Sequence, residues 1–177
     1  ENSVRERVDL ERTVTEYKYK DSGKPVVFAI NCLPAYRRPD YIFLGNSQRY
    51  QHLCGRLSEK ENEGIRIVAA SNVTRTRGRF DYTLNYSSLI DEGAECPDNS
   101  LRMLLKVFER ILPSKVYLAG FDGYTPDTVN YFDVNMEYSF IKERAEALND
   151  YGRKFLAESR RILDIRFVTP SFYTAEE

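Results

Sequence analysis

The stretch "VVFAINCLPAYRRPDYIFLGNSQRYQHLCGRLSEK", residues 26–60, decides the fold class. It contains two short apolar runs, 26–30 and 41–45, which are rich in β-branched and aromatic residues and end before Asn31 and Asn46. Such runs are typical of strands that are buried on both faces of a parallel sheet. Residues 47–60 then have the pattern of a helix, for which Asn46 or Ser47 is the predicted N-cap.

The alternation of strand and helix extends through the rest of the chain. We predict further strands at 65–70, 80–90, 115–122 and 165–173, and further helices at 3–20, 98–112 and 136–163, the last with a break near Gly152. Strands that alternate with helices imply a mostly parallel sheet with helices on both faces. The sequence therefore predicts one α/β domain, residues 1–177, with the fold of a Rossmann-like three-layer sandwich.

Composition narrows the class of protein and of partner. The chain has 177 residues, a formal net charge of -1, 42% hydrophobic residues and 30% charged residues, which is ordinary for a globular domain. The near-zero charge gives no reason to expect a nucleic-acid partner, and no apolar run is long enough to predict a membrane span. We expect a cytoplasmic protein.

Neither the cysteines nor the histidine forms a recognisable motif. Cys32, Cys54 and Cys96 have no C-x-x-C or Cys/His spacing, so we expect reduced thiols and no metal site. The single histidine, His52, lies on the predicted helix at 47–60 without an acidic partner at i+3 or i+4. A structural or solvent-exposed role is favoured over catalysis for such a residue.

Polar side chains recur where the predicted strands end. In open parallel sheets ligands bind outside the carboxyl ends of the strands. Amides and hydroxyls both donate and accept hydrogen bonds, which suits a ribose, a base edge or a sugar. The alternative is that these residues form turns and cap helices. The residues at these ends are Asn31, Asn46, Ser71, Asn72, Asp122, Tyr124, Thr169 and Ser171.

Two further features could hold an anion. Asn99 and Ser100 lie at the start of the predicted helix 98–112, where free N–H groups attract phosphate or carboxylate, although ordinary capping is the alternative. Arg75, Arg77 and Arg79 could make bidentate contacts to an anion if their loop folds over the sheet edge; otherwise it is a solvated loop. The phosphate-binding motifs G-x-G-x-x-G and the P-loop do not occur.

The stretch "KVYLAGFDGYTPDTVNY", residues 115–131, predicts a ligand-contacting loop. Gly120 and Gly123 allow a sharp turn around Asp122, and Tyr124 and Tyr131 follow closely. The alternative is that this loop is only the polar segment that follows a buried strand and contacts no ligand.

Residues 26–50 and 99–124 carry a resemblance to a known family. They resemble the C-terminal region behind the catalytic barrel of 4-hydroxy-2-oxovalerate or HMG-CoA-lyase-like aldolases, which are often linked to surface polysaccharide genes; the similarity extends over nearly the whole chain. The order of strand-end asparagines, a serine at a helix start and G-x-D-x-Y is more distantly similar to bacterial CMP-sialic-acid sialyltransferases and pterin-diphosphokinase-like Rossmann families. This likeness implies nucleotide contacts for Asn31, Asn46 and Ser100, and contacts to the leaving phosphate for Tyr124 and Tyr131.

The chain also departs from these families. The transferases carry a histidine base after the second tyrosine, and here none follows Tyr131, so a base would have to be Asp122, Asp127 or Asp133, or be absent. Asp122 is the candidate. Both resembled groups begin with a strand and a nucleotide-contacting turn, whereas this chain begins at Glu1 and leads into a predicted helix. We therefore expect a fragment of a longer protein that lacks the first strand.

Two functional hypotheses follow. In the first, the chain is a C-terminal accessory domain of an aldolase-like protein that binds a nucleotide or nucleotide sugar at Asn31, Asn46, Ser71, Asn99, Ser100, Asp122, Tyr124 and Tyr131. A degenerate glycosyltransferase-like activity is the catalytic alternative within this hypothesis. In the second, it is a packing or oligomerisation domain without a small-molecule ligand. The implied partner in both is the aldolase barrel of the same parent chain, whose metal-dependent chemistry needs that barrel.

Overall fold

The computed structural model describes residues 24–35, 37–127, 130 and 140–174. The predicted helix at 3–20 lies outside these residues. The described residues form two compact units, which we call the four-strand unit (residues 24–91 and 98–104) and the two-strand unit (residues 92–97 and 105–174, with the gaps given above). The single domain stays a prediction.

The four-strand unit is built on a parallel sheet. Its strands are β1 (Phe28–Ile30), β2 (Tyr41–Leu44), β3 (Arg66–Ala70) and β4 (Tyr82–Leu84), and their order in the sheet is β1-β2-β3-β4. All three pairings are parallel. The inner strands β2 and β3 are almost wholly buried, as their continuous apolar runs predict. The α/β class with a parallel sheet is therefore confirmed for this unit.

Helix α1 (Ser47–Leu57) connects β2 to β3. Its N-cap is Asn46, whose side-chain oxygen accepts hydrogen bonds from the N–H groups of Gln48 (2.8 Å) and Arg49 (3.3 Å). Tyr50 and Leu53 lie one turn apart on the helix and are buried, so this stripe anchors α1 to the unit. The helix ends at Leu57, with Ser58 as its C-cap, close to the predicted end.

The predicted strand at 80–90 is shorter than its pattern suggests. Only Tyr82–Leu84 pairs with β3, and a short 3-10 helix, Tyr86–Ser88, follows. Asn85 causes the change, because its side-chain oxygen accepts a hydrogen bond from the Ser87 N–H at 3.1 Å and thereby starts the turn.

Helix α2 (Ser100–Ile111) begins in the four-strand unit. Of the two residues predicted at its start, Asn99 and Ser100, the N-cap is Asn99, whose side-chain oxygen accepts from the Arg102 N–H at 3.1 Å. The helix ends where Leu112 takes a positive φ of 49° immediately before Pro113, which cannot continue a helix.

The two-strand unit contains the parallel pair β5 (Val116–Leu118) and β6 (Ile165–Phe167) with helices α3 (Phe140–Glu143) and α4 (Ala145–Ser159). The predicted break near Gly152 is wrong. The helix is interrupted at Arg144 instead, and α4 continues through Gly152. A Cβ at Gly152 would lie 2.8 Å from the ring of Tyr173, so this glycine makes room for an aromatic ring.

We predict opposite effects for two glycine-to-alanine changes within helices. A Cβ at Gly55 of α1 would have no atom within 4 Å, so Gly55→Ala should stabilise the chain by up to about 1 kcal/mol through helix propensity. Gly152→Ala should destabilise it by about 1–2 kcal/mol, because overpacking against Tyr173 exceeds that gain. Urea denaturation measures both free energies of unfolding. Equal stabilisation by the two changes would contradict the close packing of Gly152 and Tyr173.

Candidate ligand site at the carboxyl edge of the four-strand sheet

The peptide groups around Gly45 are held by two asparagine side chains. The Gly45 N–H donates to the side-chain oxygen of Asn31 (3.2 Å), and the Gly45 carbonyl accepts from the side-chain nitrogen of Asn72 (3.3 Å). Asn31 follows β1, Gly45 follows β2, and Asn72 lies just beyond β3. These two hydrogen bonds therefore join the carboxyl ends of three neighbouring strands.

Asn31 also connects this edge to the start of α2. Since a backbone N–H can only donate, its bond to Asn31 fixes the amide oxygen toward Gly45. The amide nitrogen of Asn31 then donates to the hydroxyl oxygen of Ser100 at 2.8 Å. Asn31 has a φ of 54°, a left-handed conformation that asparagine tolerates better than most residues. The hydroxyl hydrogen of Ser100 has no acceptor among the described residues and can be donated to a ligand.

Only glycine fits at position 45. A Cβ there would lie 2.9 Å from the hydroxyl oxygen of Ser100 and 3.4 Å from the sulfur of Met103. The buried Gly45 thus allows α2 to approach the end of β2 closely.

Asn46, the α1 cap, and its neighbour Ser47 complete this part of the edge. Asn46 uses its side-chain oxygen as the cap, and its amide nitrogen has no partner among the residues that the structure describes. The Ser47 hydroxyl donates to the Asn72 carbonyl (3.1 Å) and accepts from the Thr74 N–H (3.0 Å). The capping role of Asn46 is thus observed, while its ligand contact stays a prediction.

The remaining predicted residues of this unit are Ser71 and Asn99. The Ser71 hydroxyl oxygen accepts from the Tyr86 N–H at 3.0 Å, which ties the end of β3 to the segment after β4. Its hydroxyl hydrogen has no acceptor within the described part of the chain. Asn99 serves as the α2 cap, the alternative that the sequence left open for it.

Asp122 and Tyr124 belong to the two-strand unit. Asp122 is exposed, and its carboxylate accepts from the Thr169 hydroxyl at 3.4 Å. The backbone N–H and carbonyl of Tyr124 are both bound by the side chain of Asn149, at 2.9 and 2.8 Å. The structure therefore brings Asn31, Asn46, Ser71, Asn99 and Ser100 into one unit and Asp122 and Tyr124 into the other. Tyr131 and Asp133 lie outside the described residues.

Gly45 and Asn149 are not among the site residues that the sequence predicts. Gly45 sits between an apolar run and Asn46, and a glycine at that point is the signal that a neighbouring segment approaches closely. Asn149 lies in the middle of α4 and gives no sequence signal, because a mid-helix asparagine looks like a solvent-facing polar residue.

Cys32 follows Asn31 at the end of β1. Burial raises the pKa of the Cys32 thiol, and this outweighs the lowering by an Ile30 backbone hydrogen bond and by the charge of Arg56, so the thiol is neutral near pH 7.

Among the described residues no group of three or more His, Cys, Asp or Glu side chains is arranged to hold a metal ion. No helix in the described part of the chain has the length and hydrophobicity needed to span a bilayer.

No protein-family model, no curated protein and no solved structure matches this chain. The assignment of function below therefore depends on the residues of the site.

A double-mutant cycle tests the packing around Gly45. Gly45→Ala should destabilise the chain by about 1–3 kcal/mol through overpacking against Ser100. Adding Ser100→Ala removes the atom nearest to the new Cβ, so the double variant should be more stable than the sum of the two single changes predicts. The measurement is the free energy of unfolding in urea. Strict additivity would show that Gly45 and Ser100 are not in contact.

The buried phenol of Tyr173 gives a pH prediction for the two-strand unit. Burial raises the pKa of Tyr173 to about 12, and its hydroxyl donates to the side-chain oxygen of Asn149 at 2.7 Å. A raised pKa means that the folded state holds the proton more tightly, so this stabilisation is complete below about pH 10 and is lost as the pH rises toward 12. Between these values the wild-type chain should lose stability faster than Tyr173→Phe, as measured by urea denaturation. An equal loss of stability in the wild-type chain and in Tyr173→Phe would show that the pKa of Tyr173 is not raised.

Proposed function

We propose that the four-strand unit binds a nucleotide or nucleotide sugar at the carboxyl ends of β1, β2 and β3. The supporting observation is the pair of hydrogen bonds that hold the Gly45 N–H and carbonyl between Asn31 and Asn72. They fix the strand ends without using every polar group there. The groups left for a ligand are the Ser100 and Ser71 hydroxyl hydrogens and the Asn46 amide nitrogen.

The chemistry of these groups indicates the class of ligand. All three are hydrogen-bond donors, so they match a ligand rich in acceptor oxygens, such as a phosphate, a base carbonyl or a ribose. They are also uncharged, which favours orientation and selectivity over strong electrostatic attraction. The proposal is therefore binding, without an assigned catalytic step; Asp122 as a base stays a prediction.

The proposal includes a Rossmann-like arrangement of the whole domain. In such folds the ligand binds where the order of strands in the sheet reverses. The order β1-β2-β3-β4 runs in one direction, so a reversal would lie outside these four strands. We place it beside β1, at whose end Asn31 lies.

The resemblance described above supplies the biological setting of the proposal. In it, the chain is a cytoplasmic accessory domain of an aldolase-like protein involved in surface polysaccharide biosynthesis, and the aldolase barrel of the same parent chain is its partner. Nucleotide sugars are the activated donors of that class of biosynthesis, which fits the proposed ligand.

A second candidate function, packing or oligomerisation, is favoured by one observation. Aromatic rings line one face of the four-strand sheet: Phe28 stacks on Tyr41 at 4.6 Å, and Tyr41 lies 6.5 Å from Tyr82. Tyr82 is 48% exposed, and Val26, just before β1, is 63% exposed. Exposed apolar groups on one sheet face are typical of a surface that another protein covers.

Two conservative changes test the nucleotide site. Ser100→Ala removes one free donor, and Asn46→Asp keeps an N-cap oxygen but replaces the amide donor with a carboxylate that repels phosphate. Each should weaken binding of CMP, CDP, UDP, GDP or their sugar conjugates about tenfold, measured by thermal-shift titration. Ser58→Ala, which changes a serine at the other end of α1, is the matched control and should leave affinity unchanged.

The outcomes separate the two functions. A shift with one nucleotide class that both site variants weaken supports the proposal. Shifts that are insensitive to both variants, or no shift with any of these ligands, would overturn it. Self-association of the wild-type chain in the absence of a nucleotide shift would favour the packing function.

A further inference from the structure

The segment after β3, residues 73–80, is held along helix α1 and carries three arginines; we call it the arginine loop. Its first part is fixed at the carboxyl edge, because the Thr74 N–H donates to the Ser47 hydroxyl at 3.0 Å and Val73 is buried. Ser47 is the first residue of α1. The loop therefore starts beside Asn46 and the candidate site.

The middle of the arginine loop is fixed by Tyr50 of α1. The Tyr50 hydroxyl accepts from the Arg77 N–H at 3.0 Å and donates to the Arg77 carbonyl. Tyr50 is only 1% exposed, and its ring makes an edge contact with Phe80 at 5.2 Å. The backbone between Thr74 and Arg77, which includes Arg75, is thus held at both ends.

Of the three arginines, only Arg79 has a charge partner among the described residues, and the side chains of Arg75 and Arg77 have none there. Arg79 pairs with Asp81 at 3.1 Å, and the other oxygen of Asp81 accepts from the Ile67 N–H at 2.7 Å, so this carboxylate is held in place. Arg75 is exposed, and its side chain has no ion pair or hydrogen bond among the described residues. Arg75 also directly follows Thr74, the residue whose N–H is bound to the Ser47 hydroxyl.

We propose that Arg75 binds a phosphate group of the ligand, which makes that ligand a nucleotide or nucleotide sugar and excludes a nucleoside. This inference rests on the proposed nucleotide site. The donors of Ser100, Ser71 and Asn46 are neutral, whereas a guanidinium makes charge-assisted, bidentate hydrogen bonds to phosphate. A backbone held on both sides of Arg75 lowers the entropy lost when its side chain engages the anion. Arg75 thereby distinguishes phosphorylated ligands from nucleosides.

The test is calorimetric titration of the whole chain with inorganic pyrophosphate, and separately with cytidine, CMP and CDP. Arg75→Gln should weaken the binding of pyrophosphate, CMP and CDP by about tenfold or more and leave cytidine binding unchanged. Arg79→Gln is the matched control, since it makes the same change of charge in the same loop at a residue already paired with Asp81. Arg77→Gln, which keeps the backbone contacts to Tyr50, should weaken pyrophosphate binding less than Arg75→Gln does.

A second variant tests whether the loop must be held. Tyr50→Phe keeps the buried ring but removes both hydrogen bonds to Arg77, so the loop is released. Pyrophosphate affinity should fall in this variant, while the affinity for cytidine stays the same. This pattern would identify Tyr50 as a positioning residue.

The results distinguish the two proposals. Wild-type pyrophosphate binding that Arg75→Gln abolishes supports the inference even if no nucleoside binds, and the nucleotide site would then be the part that fails. Absence of pyrophosphate binding, or equal weakening by Arg75→Gln and Arg79→Gln, would overturn the role of Arg75. In that case nucleotide binding that Ser100→Ala weakens would leave the proposed function intact.

Discussion

The arrangement of the four-strand unit depends on how Gly45 is held. Its N–H is bound by Asn31 and its carbonyl by Asn72, so the ends of β1 and β3 are both tied to the end of β2. The absence of a side chain at this point lets Ser100 of α2 come within 2.9 Å of where a Cβ would be. Gly45 therefore takes part in two features at once: its peptide groups join the strand ends, and its lack of a side chain allows the close approach of α2.

The same hydrogen bonds explain why capping and binding need not exclude each other. An asparagine side chain has an acceptor oxygen and a donor nitrogen, and a cap or a backbone N–H uses only the oxygen. Asn46 caps α1 through its oxygen alone. The Asn31 side chain forms hydrogen bonds through both its oxygen and its nitrogen. Because the nitrogen donates to the Ser100 hydroxyl oxygen, the hydrogen of that hydroxyl is the group that can be donated to a ligand. Internal hydrogen bonds thus orient the edge and leave donors unused.

The sequence predicts local structure well here and long-range contacts poorly. The runs at 26–30, 41–45 and 65–70 gave correct strands because continuous β-branched and aromatic residues suit buried parallel strands. Because these strands were predicted correctly, several polar residues were also correctly predicted to lie at the strand ends. The bond between Asn31 and Ser100 joins residues 69 positions apart, and no local pattern encodes it. Gly152 misled the prediction for a similar reason, since the ring that it accommodates belongs to the distant Tyr173.

Both units use an asparagine to hold the end of a strand or loop, but they leave different groups available. In the two-strand unit, the Asn149 oxygen accepts from the Tyr124 N–H and from the Tyr173 hydroxyl, while its nitrogen donates to the Tyr124 carbonyl. That side chain joins three protein groups, as expected for a structural clamp on a loop. In the four-strand unit the corresponding bonds end at Ser100, a half-buried hydroxyl with a hydrogen to donate, and the neighbouring arginine loop adds the exposed charge of Arg75. Donors that the described residues leave unused and an exposed cation in the neighbouring loop suit an anionic, oxygen-rich ligand, which supports the proposal that the four-strand unit binds one.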